Sequence, residues 1–221
     1  MTLETAVPTL ALAMTVTSLV AAEVRSLRIA AWSYAVQALL LVSIFVAFAI
    51  AFNPLLWAWV LVALVTKALL IPALLLSYLR RVGEDEVGPS IGFGPSVVIA
   101  SIVMVAFYKL THHHVGLLAA SPLTSEEPFR TNLAVALTIF CLGMYTLISR
   151  RDAVKSVVAI CLLENGVHLS LVSLAPDMPE MPLIGIATEV LITVWLMLYV
   201  IAGIREQFES TDAAHLTELR T

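Results

Sequence analysis

Apolar residues fill most of the chain in long uninterrupted runs, and polar residues gather in short stretches between them. About 20 consecutive apolar residues are the length that an α-helix needs to cross a bilayer. The pattern predicts seven spans, at about 6–24, 31–52, 55–79, 96–110, 133–148, 152–175 and 182–204. The predicted fold class is therefore an all-α integral membrane protein with seven transmembrane helices.

Composition supports a membrane protein and excludes several other classes. The chain is 60% hydrophobic and 13% charged, with a net charge of −4, whereas soluble domains are about 25% charged. Such a small negative charge does not favour nucleic acid as a partner. The first apolar run has no basic residue before it, and Glu4 stands where a signal peptide would carry Lys or Arg, so we interpret this run as a retained first span.

The distribution of basic residues predicts an orientation, because short loops rich in Lys and Arg stay in the cytoplasm. In a seven-span arrangement one side receives all of the following residues: Arg25, Arg28, Arg80, Arg81, Arg150, Arg151, Lys155 and Arg205. The other side receives the N-terminus, the Asn53-Pro54 turn and a histidine-containing loop. We therefore expect the N-terminus outside and the C-terminus in the cytoplasm. The expected divisions are a four-helix segment (1–110), an outside loop (111–131), a three-helix segment (132–205) and a cytoplasmic tail (206–221).

Two carboxylates interrupt the last two spans. Glu164 lies near the middle of the sixth run and Glu189 lies at a similar depth in the seventh. A charged side chain at the bilayer centre costs about 3 kcal/mol even on insertion scales, so such a residue is a candidate functional site. His168 follows Glu164 by four residues and therefore shares its helix face, so it is a further candidate for a proton pathway.

The chemistry of these carboxylates has two interpretations. Desolvation favours the neutral form of a carboxyl group, so a glutamate in the membrane that alternates between charged and neutral forms can relay protons. Alternatively, each glutamate stays protonated and only forms a hydrogen bond to a neighbouring helix. We favour the relay for both Glu164 and Glu189, by the wider margin for Glu164.

Lys67 is a third polar residue at depth, near the middle of the third span. A desolvated lysine can lose its proton, or it can stay charged beside a carboxylate. Pro72, five residues later, has no N–H and leaves a backbone carbonyl without its helical donor. A relay residue and a structural counter-ion are the two interpretations that the sequence leaves open for Lys67.

The remaining chemistry-bearing residues do not indicate a cofactor or a catalytic site. His112, His113 and His114 have the wrong spacing for one helical face, so a metal site there is not favoured. Cys141 and Cys161 lie inside predicted spans without a CxxC motif, so no iron–sulfur cluster is expected. No nucleotide-binding loop or hydrolase motif is present. We expect no cofactor, no metal and no catalytic residue in this chain.

The runs LLENGVHLSLVSLA and IGIATEVLITV, together with SYAVQALLLVSIF and LVTKALLIPALLL, resemble the hydrogenase-4 component E family, from the membrane arm of formate-hydrogenlyase-type complexes. From about residue 132 the chain also resembles the K subunit of the complex I membrane arm, called 4L in mitochondria. It is more distantly similar to the C component of Mrp-type sodium/proton antiporters. The first four predicted spans have no counterpart in the K subunit.

This resemblance implies a role and a set of partners. In the K subunit two intramembrane glutamates serve the proton pathway, and the matching positions here are Glu164 and Glu189. Lys67 matches a lysine in the additional N-terminal part of the hydrogenase-4 family. The implied protein is a non-catalytic subunit in the cell membrane of a bacterium or archaeon. It would contact antiporter-like subunits and a quinone-module or heel-type subunit, and indirectly hydrogenase-like peripheral subunits.

Two other functions remain open from the sequence. The chain could be a structural subunit that bridges larger subunits, with its polar residues paired statically across helices. It could also be an independent secondary transporter, but such folds are typically built from repeated halves. No repeat is visible, so the transporter ranks last.

Overall fold

The computed structural model describes residues 3–83, 87, 92–118, 126–174 and 181–208, and the side chains of 3, 4, 82, 118, 181–190, 207 and 208 lie outside the described part. The described residues form helices and no strand. The helices are α1 (Leu3–Glu23), α2 (Leu27–Ala51), α3 (Leu56–Ala63), α4 (Ile71–Val82), α5 (Phe93–His113), α6 (Val115–Leu118), α7 (Phe129–Ser149), α8 (Ala153–Leu174) and α9 (Met181–Phe208), with a π-helical segment (Leu64–Leu70) joining α3 to α4.

The predicted all-helical membrane fold is confirmed. Within the described residues, six helical stretches are long and apolar enough to cross a membrane: Thr5–Glu23, Leu27–Ala51, Leu56–Arg81, Phe93–His113, Phe129–Ser149 and Ala153–Leu174. They coincide with the first six predicted spans. The seventh predicted span corresponds to helix α9, which has 28 residues, and the count of seven and the orientation stay predictions.

Local sequence signals explain several helix limits. Leu55 N–H donates to the Asn53 side-chain oxygen at 2.9 Å, a turn that asparagine forms readily. Gly83 ends α4 with φ +71°, a left-handed conformation that glycine adopts at little cost. Helix α5 continues through His113, and α7 already begins at Phe129, so the connection between them is shorter than the predicted loop.

Helix α2 lies at the centre of the packing. It contacts α1, α3, the π-helical segment, α4 and α8, and its Tyr34, Phe45 and Phe48 side chains are fully buried. The tightest helix pair is α7 with α8. A Cβ atom added to Gly166 would lie 2.7 Å from the Ala136 carbonyl oxygen, so only glycine permits this approach of the two backbones.

The third predicted span is not one regular helix. Between α3 and α4 the backbone widens into the π-helical segment, where Ile71 N–H donates to the carbonyl of Thr66, five residues back. Pro72 lies just beyond this segment and has no N–H to donate. The disturbance expected from Pro72 is thus present, and it lies around Lys67. Segments of π-helix are frequent at functional sites.

Candidate functional site

Lys67, Glu164 and His168 meet inside the helix bundle. The Lys67 Nζ atom lies 3.0 Å from Glu164 Oε2 and 3.0 Å from His168 Nδ1. Lys67 and His168 are each 1% exposed, and Glu164 is 8% exposed. Three of the four residues predicted for a proton pathway therefore form one cluster, which we call the buried charge cluster.

The depth of this cluster follows from the helices that carry it. Glu164 lies eleven residues into α8, which is about 16 Å along the axis at 1.5 Å per residue and close to the helix midpoint. Lys67 lies in the π-helical segment at the middle of the third span. An ionic pair so far from either end of its helices is removed from bulk water, so its charges are compensated mainly by each other and by nearby polar groups.

A chain of hydrogen bonds leads from the cluster through α8 to two more helices, α2 and α1. Lys67 Nζ donates to Asn165 Oδ1 at 2.8 Å, and Asn165 Nδ2 donates to Gln37 Oε1 at 3.1 Å. Gln37 Nε2 then donates to Ser18 Oγ at 2.6 Å, and Ser18 donates to the carbonyl of Met14. In each of these hydrogen bonds the donor lies on the Lys67 side and the acceptor lies further away. The carbonyl oxygen of Asn165 therefore faces Lys67, and the aligned amide dipoles stabilise a charged ammonium group.

Asn165 and Gln37 were missed by the sequence interpretation. Both are fully buried, and each is an amide side chain in an otherwise apolar span. A buried amide costs free energy unless it is hydrogen-bonded, so an amide in such a run is itself a signal of a partner. The sequence did not show that the partners would be each other.

His168 has two possible hydrogen-bond arrangements. Its Nδ1 atom lies 3.0 Å from Lys67 Nζ and 2.9 Å from the Glu164 backbone oxygen. A neutral ring nitrogen either accepts or donates a hydrogen bond. Nδ1 therefore accepts from Lys67 when the proton is on Nε2, or it donates to the Glu164 carbonyl when it carries the proton itself. The prediction that His168 shares the face of Glu164 is confirmed.

A second buried ion pair lies at the end of the bundle where α1 and α7 end. Arg150 Nη2 lies 2.6 Å from Glu23 Oε2 and donates to Ser96 Oγ at 3.3 Å. Nearby, Lys155 Nζ donates to the carbonyl of Ala21 at 2.8 Å. Arg150 lies in the predicted short loop between α7 and α8, and Lys155 lies in the first turn of α8. Both are buried and hold the end of α1 against α7 and α8.

Glu189 is the fourth predicted pathway residue. Its backbone lies in α9, but its side chain lies outside the described part of the structure. Helix α9 contacts the π-helical segment, α3, α4 and α8. Its proximity to Glu164 stays a prediction.

The histidine run lies apart from the buried charge cluster. His112 and His113 belong to the last turn of α5 rather than to a loop, and His114 follows it. His112 Nε2 lies 3.7 Å from Glu127 Oε1. Among the described residues no three His, Cys, Asp or Glu side chains are grouped as metal ligands.

The fold and the buried charge cluster define a class: a multi-pass membrane protein with ionisable side chains between its spanning helices. Comparison with known proteins gives the family. The chain is 34% identical over 209 residues to hydrogenase-4 component E of Escherichia coli (strain K12), covering 94% of each chain. The same values hold for the proteins of that name from Escherichia coli O157:H7 and Shigella flexneri. The chain belongs to the hydrogenase-4 component E family.

A second comparison concerns the C-terminal part. Residues 131–221 match the family model of NADH-ubiquinone/plastoquinone oxidoreductase chain 4L. This match contains Glu164, Asn165 and His168, whereas Lys67 and Gln37 lie before it. No solved structure matches the chain significantly.

Proposed function

We propose that this protein is a non-catalytic membrane-arm subunit of a complex-I-like, group 4 hydrogenase-type assembly. Within that assembly Lys67, Glu164, His168 and Glu189 would belong to a path for protons, or for a cation coupled to them. The observation that carries the proposal is the contact of Lys67 with Glu164 and His168 at the middle of spanning helices. Membership in the component E family supports the type of assembly.

The buried charge cluster has the groups that a relay requires. Lys67 and Glu164 can exist as an ion pair or, after transfer of one proton, as a neutral pair. His168 connects to this pair through the nitrogen that has two alternative partners. Changing between its two tautomers requires a proton to leave one ring nitrogen and another to reach the other, which is an elementary relay step.

Coupling to redox chemistry would act through electrostatics. Oxidation and reduction would occur in other subunits, and a charge change near the cluster would alter the attraction between Lys67 and Glu164. Because the pair is desolvated, Coulomb interactions are weakly screened there. The path would continue through Glu189 in α9, as its match to the second K-subunit glutamate implies.

The proposed topology has seven spans, with the N-terminus outside and the C-terminus in the cytoplasm. A four-helix segment (1–110) and a three-helix segment (132–205) would be joined by an outside loop. The basic residues that end α4 and follow α7 support this orientation. The membrane would be the cell membrane of a bacterium or archaeon.

Antiporter-like subunits and a quinone-module or heel-type subunit are the proposed neighbours, with hydrogenase-like peripheral subunits attached through them. Helix α5 supports a position between other membrane proteins or lipids, because only 11% of its spanning window is buried within the chain. Its side chains Val98, Ile102 and Val105 are exposed and apolar.

A structural bridging role is the second candidate. Two buried ion pairs, Lys67 with Glu164 and Arg150 with Glu23, favour this role, because static pairs fix helices against one another. The two functions differ in what happens when Glu164 loses its charge.

The test is Glu164→Gln in the purified complex, reconstituted into vesicles with redox-driven acidification recorded by a pH-sensitive dye. The relay predicts normal assembly and redox turnover with loss of coupled proton movement. Glu23→Gln is the matched control, a buried ion-paired glutamate away from the cluster, and it should leave transport per assembled complex unchanged. Normal acidification by Glu164→Gln complexes would refute the relay, and loss of assembly would favour the bridging role.

A further inference from the structure

A cavity of about 540 Å³ opens between α4 and α9, away from the buried charge cluster. Its volume falls within the range of about 300–1,000 Å³ that small-molecule sites have. The two helices contact each other and both present their C-terminal ends to it. The cavity therefore lies at one end of the bundle, where spanning helices leave the bilayer.

The lining changes along the axes of the two helices. Arg81 and Arg205 line the cavity where the helices end, and Leu74 and Leu198 line it seven residues, or about two turns, further inside. Tyr199, which is 71% exposed, is level with Leu198. A charged end above an apolar and aromatic base follows the order of headgroup and acyl chains in a phospholipid.

The aromatic side chains form a flat wall. Trp195 and Tyr199 stack with ring centroids 6.2 Å apart and an interplanar angle of 24°. Tyr199 and Trp195 lie six and ten residues before Arg205, which is about 9 and 15 Å along α9 at 1.5 Å per residue. With a phosphate at Arg205, the wall would therefore contact the acyl chains.

The charges at the rim favour an anion. Arg81 and Arg205 contribute two positive charges and Glu206 one negative charge, so the rim is positive by one charge. A guanidinium group has five N–H donors, so each arginine can bind a phosphate while keeping another contact. Basic pockets between spanning helices are known to bind anionic lipid headgroups.

We infer that this cavity, which we call the α4–α9 cavity, binds one anionic phospholipid. Its phosphate would contact Arg81 and Arg205, and its acyl chains would follow the exposed aromatic wall of α9. This binding is independent of proton transfer, because none of the residues that line the cavity belongs to the buried charge cluster.

The experiment is native mass spectrometry of the full chain purified in detergent, titrated with phosphatidylglycerol or with phosphatidylcholine. The chain should retain phosphatidylglycerol preferentially. Arg81→Gln/Arg205→Gln should weaken its binding about 30-fold, since each basic side chain near a headgroup contributes about a fivefold factor. Glu206→Gln should act in the opposite direction and strengthen binding.

Two controls separate a built site from general surface charge. Arg80→Gln/Arg151→Gln removes two exposed arginines that do not line the cavity and should change binding less than twofold. Ala202→Phe adds bulk to the cavity lining without changing charge and should reduce retention of phosphatidylglycerol. Circular dichroism of each variant checks that the helices persist.

Equal weakening by both arginine pairs would overturn the inference, because surface charge alone would then explain binding. Unchanged binding in Arg81→Gln/Arg205→Gln would also overturn it. Displacement of the lipid by inorganic phosphate at similar concentration would show a phosphate site rather than a phospholipid site. Protection of the cavity by a neighbouring protein in the complex, with no lipid present, would assign it to a protein contact.

Discussion

Replacing Lys67 by Met removes the ammonium group and leaves Glu164 buried without its cation. At the observed separation of 3.0 Å and an effective dielectric constant of about 20, the attraction between the two charges is on the order of 5 kcal/mol. Desolvation offsets much of this attraction, but loss of one partner from a buried pair still costs about 3–5 kcal/mol. Lys67→Met should therefore destabilise the fold by about that amount.

The double variant Lys67→Met/Glu164→Gln should recover most of the loss, because it leaves no uncompensated charge in the bundle. Free energies of unfolding, measured on the full chain in detergent for the wild type, both single variants and the double variant, give the coupling energy. We expect about 3 kcal/mol, since replacing both members of a buried pair is often close to neutral.

A second cycle provides the control. This cycle combines Lys67→Met with Glu23→Gln, two substitutions at different depths of the bundle. Their changes in the free energy of unfolding should add within about 0.5 kcal/mol. Additivity in the cycle of Lys67 and Glu164 as well would refute the reasoning, because it would mean that the two charges do not compensate each other in the folded protein.

Three further predictions concern residues that hold the bundle together. Asn165→Leu removes an acceptor and a donor from the hydrogen-bond chain and should lower stability by about 2 kcal/mol or more, measured by equilibrium unfolding; an unchanged free energy would contradict the chain. Arg150→Leu leaves Glu23 buried without a cation and should cost about 3 kcal/mol in the same assay, with partial recovery in Arg150→Lys; full stability of Arg150→Leu would exclude a compensating pair. Gly166→Val forces α7 and α8 apart and should cost about 1–3 kcal/mol, whereas Gly203→Val, which meets no neighbouring atom, should cost less; equal thermal midpoints would contradict close packing.

The limits of the helices were largely readable in the sequence. The apolar runs predicted each of the six spanning helices within a few residues, because in a bilayer every backbone N–H and C=O must be satisfied inside the helix itself. His168 could also be placed relative to Glu164, since four residues bring side chains onto one face.

Contacts between distant segments were not readable. Lys67 and Glu164 lie in the third and sixth spans, and the sequence left a relay residue and a counter-ion equally open for Lys67. The structure shows the carboxylate beside it, which fits both interpretations. The burial of Lys155 was not readable either, because the sequence placed it near the end of the sixth span among the basic residues of one side, whereas the structure buries it fully.

The sequence alone determined that the chain is an all-α membrane protein and that ionisable groups lie within its spans, because the bilayer imposes the same length and polarity on every crossing helix. Only the tertiary structure decided that Lys67 joins Glu164 and His168 in one cluster and that Asn165 continues from it. Helix pairing depends on close packing at small residues such as Gly166 and on a local π-helical turn, and neither has a periodic signal in the sequence.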